Sequence, residues 1–431
     1  MKKILAVIMS LSMLLAATAC SNDSNSSKSE SKSDSQNSGG TSNTGSDEYQ
    51  LKESASLKVW ASQEDQEIVK EMVESFKKKY PDTTWNIEFG VVSEADAKSE
   101  VLKDTEAAAD VFAFASDQLG ELQSAGALYK ITKNKDRIIA DNIDASINAS
   151  KVGDDLYAYP SSSDTYFMYY DKKYLSDEDV KSLETILSKN LGGDVVNFSF
   201  DMDNGWYNAG FFFAAGAKLF GDDGTDPTKC DFNNEKGLLA AKYLISLANN
   251  SKFKLTDDDI TKADFADRKL GATISGSWNA EDIKKSLGDD FGVTKLPTVT
   301  FEDGTTTNLG SMANFKLIGI NSQTKSPMEA MALADYLTSY ECQKIRFEKR
   351  SFAPTNKELA GDKDALSSNP VVAAAAEQAQ YATLQSTIPQ MGNFWTPAEA
   401  FGAAIVNKEI TVDNVQERLD KLVESILSTL T

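Results

Sequence analysis

Residues 107–132 read AAADVFAFASDQLGELQSAGALYKIT. The run from Asp110 to Ala115 is short and apolar, with Val111 and two phenylalanines. It lacks helical spacing, which is the pattern of a buried strand in a parallel sheet. Ser116 and Asp117, both N-cap types, stop the run, and Leu119, Leu122 and Gly126 lead through a brief amphipathic helix into a turn. The unit is strand, polar corner, helix. In open α/β sheets, ligands bind at the corner beyond a strand's carboxyl end. Here that corner carries a ring, Phe114, and a carboxylate, Asp117. A ring stacks on C–H faces while a carboxylate accepts from hydroxyls, so the pair suits an uncharged, polyhydroxylated ligand. The plainer alternative is that Asp117 only caps the helix and Phe114 only fills the core.

Outward from that stretch, strand-like and helix-like segments alternate, the signature of parallel βαβ units. Leu57–Trp60 reads as a strand, and Glu64–Tyr80 as a helix with Ile68, Met72, Val73 and Phe76 on one face. Thr84–Val92 is strand-like, and Ser93 with Asp96 forms a capping pair before the next helix. LYAYPSSSDTYFMYY (156–170) reads as two strands separated by a small-residue crossing, a candidate hinge. Asn233 or Asn234 caps a long helix, and Pro327 starts another that runs through Leu337. The three Asp residues within Gly221–Cys230 lack EF-hand spacing and read as a polar hairpin turn. The last third is expected to be helical with a break at IPQMGNFW (388–395).

The chain has 431 residues, too many for one ordinary core, so two lobes are expected. A net charge of −21 argues against nucleic acid as a partner, because nothing would neutralise phosphates. There is no histidine, which removes Ser–His and Cys–His triads and histidine-based zinc sites. No Walker or dinucleotide-type glycine loop is present. No cofactor or metal is implied.

Residues 1–19 have a basic start and a short apolar run, which reads as a secretory signal rather than a spanning helix. Ala17-Thr18-Ala19-Cys20 resembles a bacterial lipobox, in which Cys20 becomes the lipidated first residue. Ala17 departs from the branched residue usual there, and a plain cleaved signal is the alternative. Residues 20–50 then form a Ser/Asn-rich tether, too polar to order itself, that spans about 30 Å as a coil. The expected location is the extracellular face of the cytoplasmic membrane, held by the lipid anchor alone. Cys230 and Cys342 are compatible with a disulfide or with two buried thiols.

Aromatic residues recur at strand ends and loop corners: Phe114, Trp206, Tyr207, Trp278 and Trp395. Trp is large and carries one N–H, so several in similar places suggest a stacking platform. Glu64, Asp117 and Asp164 supply carboxylates, which accept strong charge-assisted hydrogen bonds from ligand hydroxyls. A carboxylate pair such as Asp117 and Asp164 would also serve glycoside hydrolysis.

The chain resembles the extracellular solute-binding lipoproteins of ABC sugar importers, and within them the maltose/maltodextrin-binding group. LKVWASQED, ADVFAFASDQLGELQSAGAL, LYAYPSSSDTYFMYYDKKYL, GATISGSWNAEDI, FGVTKLPT and IPQMGNFW carry the resemblance across residues 55–425. It implies a periplasmic-binding-protein-like α/β fold with the ligand cleft between discontinuous lobes, 51–163 with 316–366 and 167–311 with 371–431. It places Phe114, Tyr207, Trp278 and Trp395 on stacking positions, with Trp206 beside Tyr207, and Glu64, Asp117 and Asp164 on acidic sugar contacts. Asp65, Gln118 and the region near Glu399 stand where that group has basic residues, which implies fewer or differently placed donors. The implied protein is a monomer and not an enzyme; it captures malto-oligosaccharides and delivers them to an ABC permease. The rivals are a tethered glycoside hydrolase and a surface adhesin with no soluble ligand.

Overall fold

A computed structural model describes residues 49–429; the expected signal, Cys20 and nearly all of the expected tether lie outside the described residues. Nine strands make up most of the main sheet. They are β1 (Ser54–Ala61), β2 (Thr84–Val91), β3 (Val111–Ala115), β4 (Ala158–Asp171), β5 (Val196–Phe200), β6 (Phe253–Leu255), β7 (Leu270–Gly276), β8 (Phe291–Thr294) and β9 (Ser311–Ile320). Their order across the sheet is β2-β1-β3-β9-β4-β7-β5-β6, with β8 paired to β4 beside this path. β1 runs parallel to β2 and β3, and β5 runs parallel to β6 and β7. These are the two βαβ halves that the alternating pattern predicts.

The halves meet on β4. Residues 158–165 of β4 pair antiparallel with β9, and residues 166–170 pair antiparallel with β7. This corrects the expected break in 156–170: Pro160 and the serines lie inside one continuous strand. A strand can hold a proline where its missing N–H falls at an irregularity. Pro160 sits where the β4–β9 register shifts between Lys316 and Leu317.

Each half has its own apolar interior. In the first, Ile68, Val69, Met72, Val73 and Phe76 of the helix Gln66–Lys79 are buried, the i, i+4 stripe expected of an amphipathic helix. They pack with Val59, Ile318 and Leu333, while Phe112, Phe114 and Leu122 form an adjoining cluster. In the second, Phe198, Phe211, Leu244, Phe394 and Leu419 belong to one large cluster. Local start signals hold. The Asn234 side chain accepts from the N–H groups of Lys236 and Gly237 at the start of the helix Glu235–Ala248, and Pro327 opens Pro327–Leu337. Ser93 Oγ and the Asp96 carboxylate are 2.7 Å apart before the helix Ala97–Lys103. Cys230 and Cys342 are both free thiols.

One segment differs from expectation and another carried none. Gly205–Ala214 is a helix, and the Phe394-Trp395 pair lies in the first turn of the helix Gly392–Val406 rather than in a break. Both segments are apolar nearly all round, so they carry no helical periodicity to read.

The helix Gly205–Ala214 approaches the start of β9 so closely that a Cβ on Gly210 would lie 2.4 Å from the Gly310 carbonyl oxygen and 2.6 Å from Tyr166 Oη. Gly210→Ala is therefore expected to destabilise the protein by about 1–3 kcal/mol, the usual cost of overpacking a closed interior. Denaturant titration against wild type measures this.

Candidate ligand-binding site

At the carboxyl end of β3 the chain makes one tight turn, Ser116–Gln118, before the helix Leu119–Ser124. The turn is seated against the other half. A Cβ on Gly120 would lie 2.7 Å from the Thr387 carbonyl oxygen, and one on Gly392 would collide with the Glu121 carboxylate. Asp117 is only 7 % exposed, and its Oδ2 accepts from Trp395 Nε1 at 3.2 Å. Its Oδ1 is buried without a protein partner. Burial pushes the Asp117 carboxyl up to about 7, against the lowering charge of Lys98, itself paired with Glu121 at 2.8 Å.

A second indole is held in the same way. The Trp278 ring lies over Gly276, where a Cβ would fall 1.9 Å from Cζ3. Trp278 Nε1 donates to Asp258 Oδ2 at 2.9 Å, and Asn279 Nδ2 donates to Asp258 Oδ1 at 2.5 Å. Burial raises the Asp258 pKa, these hydrogen bonds lower it, and the charge of exposed Glu64 adds a small upward push. Glu64 thus stands within electrostatic reach of Trp278's partner although it comes from the other half.

Between these ends, along β4 and β9, Asp164 lies across the ladder from Asn314. Lys316 Nζ is 4.0 Å from Asp164 Oδ2, 3.7 Å from Glu94 Oε1, and 4.3 Å from the centre of the Phe352 ring. Burial pushes Asp164 up to about 6, with Lys316 opposing and Glu94 reinforcing the rise. Asn314 Oδ1 and Gln385 Oε1 are, like Asp117 Oδ1, buried acceptors without protein partners. Half-buried Trp206 meets the Tyr166 ring edge-on at 5.5 Å.

Of the residues singled out from sequence, Asp117 and Trp395 touch directly, and Trp278 is bonded to Asp258, while Glu64 is exposed on the first half and touches neither indole pair. Asp164 sits on the crossing strand and Trp206 on the adjoining helix. Phe114 is a correction. It is 0 % exposed, its ring is 5.6 Å from Phe112, and the pleat aims both phenylalanines into the first half's interior. Its role is packing, the plainer of the two readings. Tyr207 is 5 % exposed and packs on Tyr166 at 5.1 Å, so its ring also belongs to a core.

Sequence reasoning missed Asp258, Asn279, Glu94, Asn314 and Lys316. Lys316 alone carried a local signal, a single lysine inside the apolar strand SMANFKLIGI. Among the described residues no cluster of His, Cys, Asp or Glu could hold a metal ion.

Two indoles, their carboxylate partners and unpaired acceptors thus lie where two α/β halves meet. The profile of the family described as "Bacterial extracellular solute-binding protein" matches residues 71–375. The chain belongs to that family. Among relatives of this solute-binding protein is the Galactooligosaccharide-binding protein of Bacillus subtilis, 27 % identical over 80 % of this chain and 83 % of that one. Another is the Maltooligosaccharide ABC transporter solute-binding lipoprotein of Streptococcus pneumoniae, 24 % identical over 67 % of this chain and 70 % of that one. A solved structure described as "with acarbose" is 34 % identical, with a TM-score of 0.80 over 86 % of this chain and 98 % of its own. A maltodextrin-binding protein from L. casei is 27 % identical, with a TM-score of 0.75 over 87 % of this chain and 100 % of its own. The fold is the two-lobed one of the periplasmic sugar-binding proteins.

An unfolded aspartate titrates at about 3.9. In the solute-binding protein, Asp117 holds its proton up to about 7. A carboxyl with a raised native value gives stability that is complete below the unfolded value and is lost as pH rises through the native one. Asp117→Asn removes that ionisation. Melting temperatures taken from pH 4 to 8 should therefore fall less steeply for the variant than for wild type, and equal slopes would contradict the burial argument.

Proposed function

We propose that the protein captures neutral malto-oligosaccharides between its two halves and presents them, chemically unchanged, to an ABC permease. The observation that carries this reading is the Trp395–Asp117 pair. It joins an indole from one half to a carboxylate from the other and leaves Asp117 Oδ1 as a buried acceptor that a ligand hydroxyl could satisfy. Trp206, Trp278 and Trp395 would stack on sugar faces, and Asp117, Asp164 and Glu64 would accept from sugar hydroxyls. A ligand touching both halves favours the form in which they are close, giving the permease a surface to read without any chemical step. Cys20 would carry the lipid that keeps this monomer near the membrane. Among the described residues no helix is long and apolar enough to cross one.

The relatives' printed names divide between malto- and galacto-oligosaccharides. A β-galacto-oligosaccharide ligand is therefore the second reading. Titration calorimetry with maltotriose, maltopentaose and a β-galactotriose separates the two, with a charged peptide as control. Binding confined to the galactoside would replace the first reading with the second, and binding of neither would overturn both.

Loss of one indole platform should weaken sugar binding by about 1–3 kcal/mol. Trp278→Ala and Trp395→Ala are each expected to do so by calorimetry, with Phe114→Leu leaving affinity near wild type because that ring is core. After prolonged incubation, maltopentaose should remain intact by chromatography. Shortened products would favour the hydrolase.

A further inference from the structure

Arg350 is the last residue of the helix Tyr340–Arg350, which packs against the helix Gln66–Lys79 in the first half. Its guanidinium is divided between the halves. On its own side, Nε donates to Asp65 Oδ1 at 3.2 Å, with both side chains only 7 % exposed, and the guanidinium lies 5.7 Å from the Phe352 ring centre. Across the junction, Nη2 donates to the Trp278 carbonyl oxygen at 3.3 Å and Nη1 to Glu281 Oε2 at 3.4 Å. Trp278 follows β7 and Glu281 lies in the helix Ala280–Leu287, both in the second half.

We infer that Arg350 is a positioning residue that couples closure of the two halves to the seating of Trp278. The Asp65 pair lies within one half and survives if the halves separate, so the guanidinium stays oriented and keeps its buried counter-ion in either form. The bonds to Trp278 and Glu281 exist only while the halves are together. Their free energy therefore belongs to closure and not to folding of either half. Glu281 is 71 % exposed, and water replaces it easily. The Trp278 carbonyl is the specific partner, and it belongs to the residue whose indole rests on Gly276 and is tied to Asp258. Arg350 thus fixes the backbone beneath a stacking ring from the opposite side of the junction.

This rests on the reading that a sugar is held between the halves. A contact that forms only on closure slows release and leaves the encounter with the open form unchanged. Truncating Arg350 alone would leave Asp65 buried and unpaired, so the double variant Asp65→Asn/Arg350→Gln serves beside Arg350→Gln. Arg350→Lys keeps the charge but not the fork. Stopped-flow tryptophan fluorescence with maltotriose and β-galactotriose gives association and dissociation rates. Small-angle scattering of sugar-free solutions gives the mean separation of the halves.

The double variant and Arg350→Gln should release sugar about tenfold faster, the factor carried by one charge-assisted hydrogen bond, with association within about twofold of wild type. Their sugar-free radius of gyration should increase. Arg350→Lys should recover part of both effects, and Glu281→Gln should change little. Wild-type release and scattering in the double variant would overturn the inference. So would faster release with unchanged scattering and slowed association, which would make Arg350 a direct ligand contact. If wild type binds neither sugar, the ligand assignment fails, while the sugar-free scattering comparison still decides whether Arg350 holds the halves together.

Discussion

Strand β4 is hydrogen-bonded to β9 through residues 158–165 and to β7 through residues 166–170. That segment and its neighbour β9, which carries Met312 in one core and Ile318 in the other, are therefore shared by two cores that are otherwise built from different helices. Backbone ladders resist sliding, because a one-residue slip would turn every side chain to the wrong face. Such ladders would leave the two halves only bending and twisting about these strands. Whatever lies at the junction changes its surroundings when they bend, while the interiors marked by Phe76 and Leu244 do not.

The chemistry placed at that junction follows one repeated device. Trp278 and Trp395 each give their single N–H to an aspartate, Asp258 at the surface and Asp117 in a buried turn. An indole fixed by its edge has its plane fixed too, so its face can meet a ligand without loss of side-chain freedom at the moment of binding. The carboxylates keep a second oxygen in hand. At Asp258 that oxygen is taken by Asn279, and at Asp117 it is unclaimed. The cations of this strongly acidic chain are placed sparingly here. Lys316 sits among Glu94 and Asp164, and Arg350 sits on Asp65. Each is matched by carboxylates on its own side, so neither is left as an uncompensated charge to attract an anionic solute.

Much of this was legible along the chain where the pattern is local. The apolar stripe of 66–79, the Asn234 cap, the Pro327 start and the strand–corner–helix unit after Asp110 depend on neighbours within a few residues. Their dihedral preferences and periodicity act before any tertiary contact forms. The corner that carries Asp117 is legible this way. Its companion ring is not, because Phe114 and Phe112 share the face of β3 that points inward. Sequence alone shows that a strand has two faces, and the partner helices decide which one is the interior. The unbroken β4 was hidden for a similar reason. Pro160 and three serines are poor strand formers, and they are held extended by the ladder to β9, with Ser162 and Ser163 also paired to Pro354 and Ala353, rather than by their own propensity.

By itself the sequence determined the order and type of most elements, the acidic, histidine-free chemistry and the tryptophans and aspartates available to a site. Tertiary structure alone decided which of these meet. Asp117 and Trp395 are 278 residues apart, and Arg350 is 285 residues from Asp65 and 72 from Trp278. No local periodicity encodes such pairs. They arise because the sheet order interleaves distant strands at β4 and β9, bringing the ends of several connections to one place.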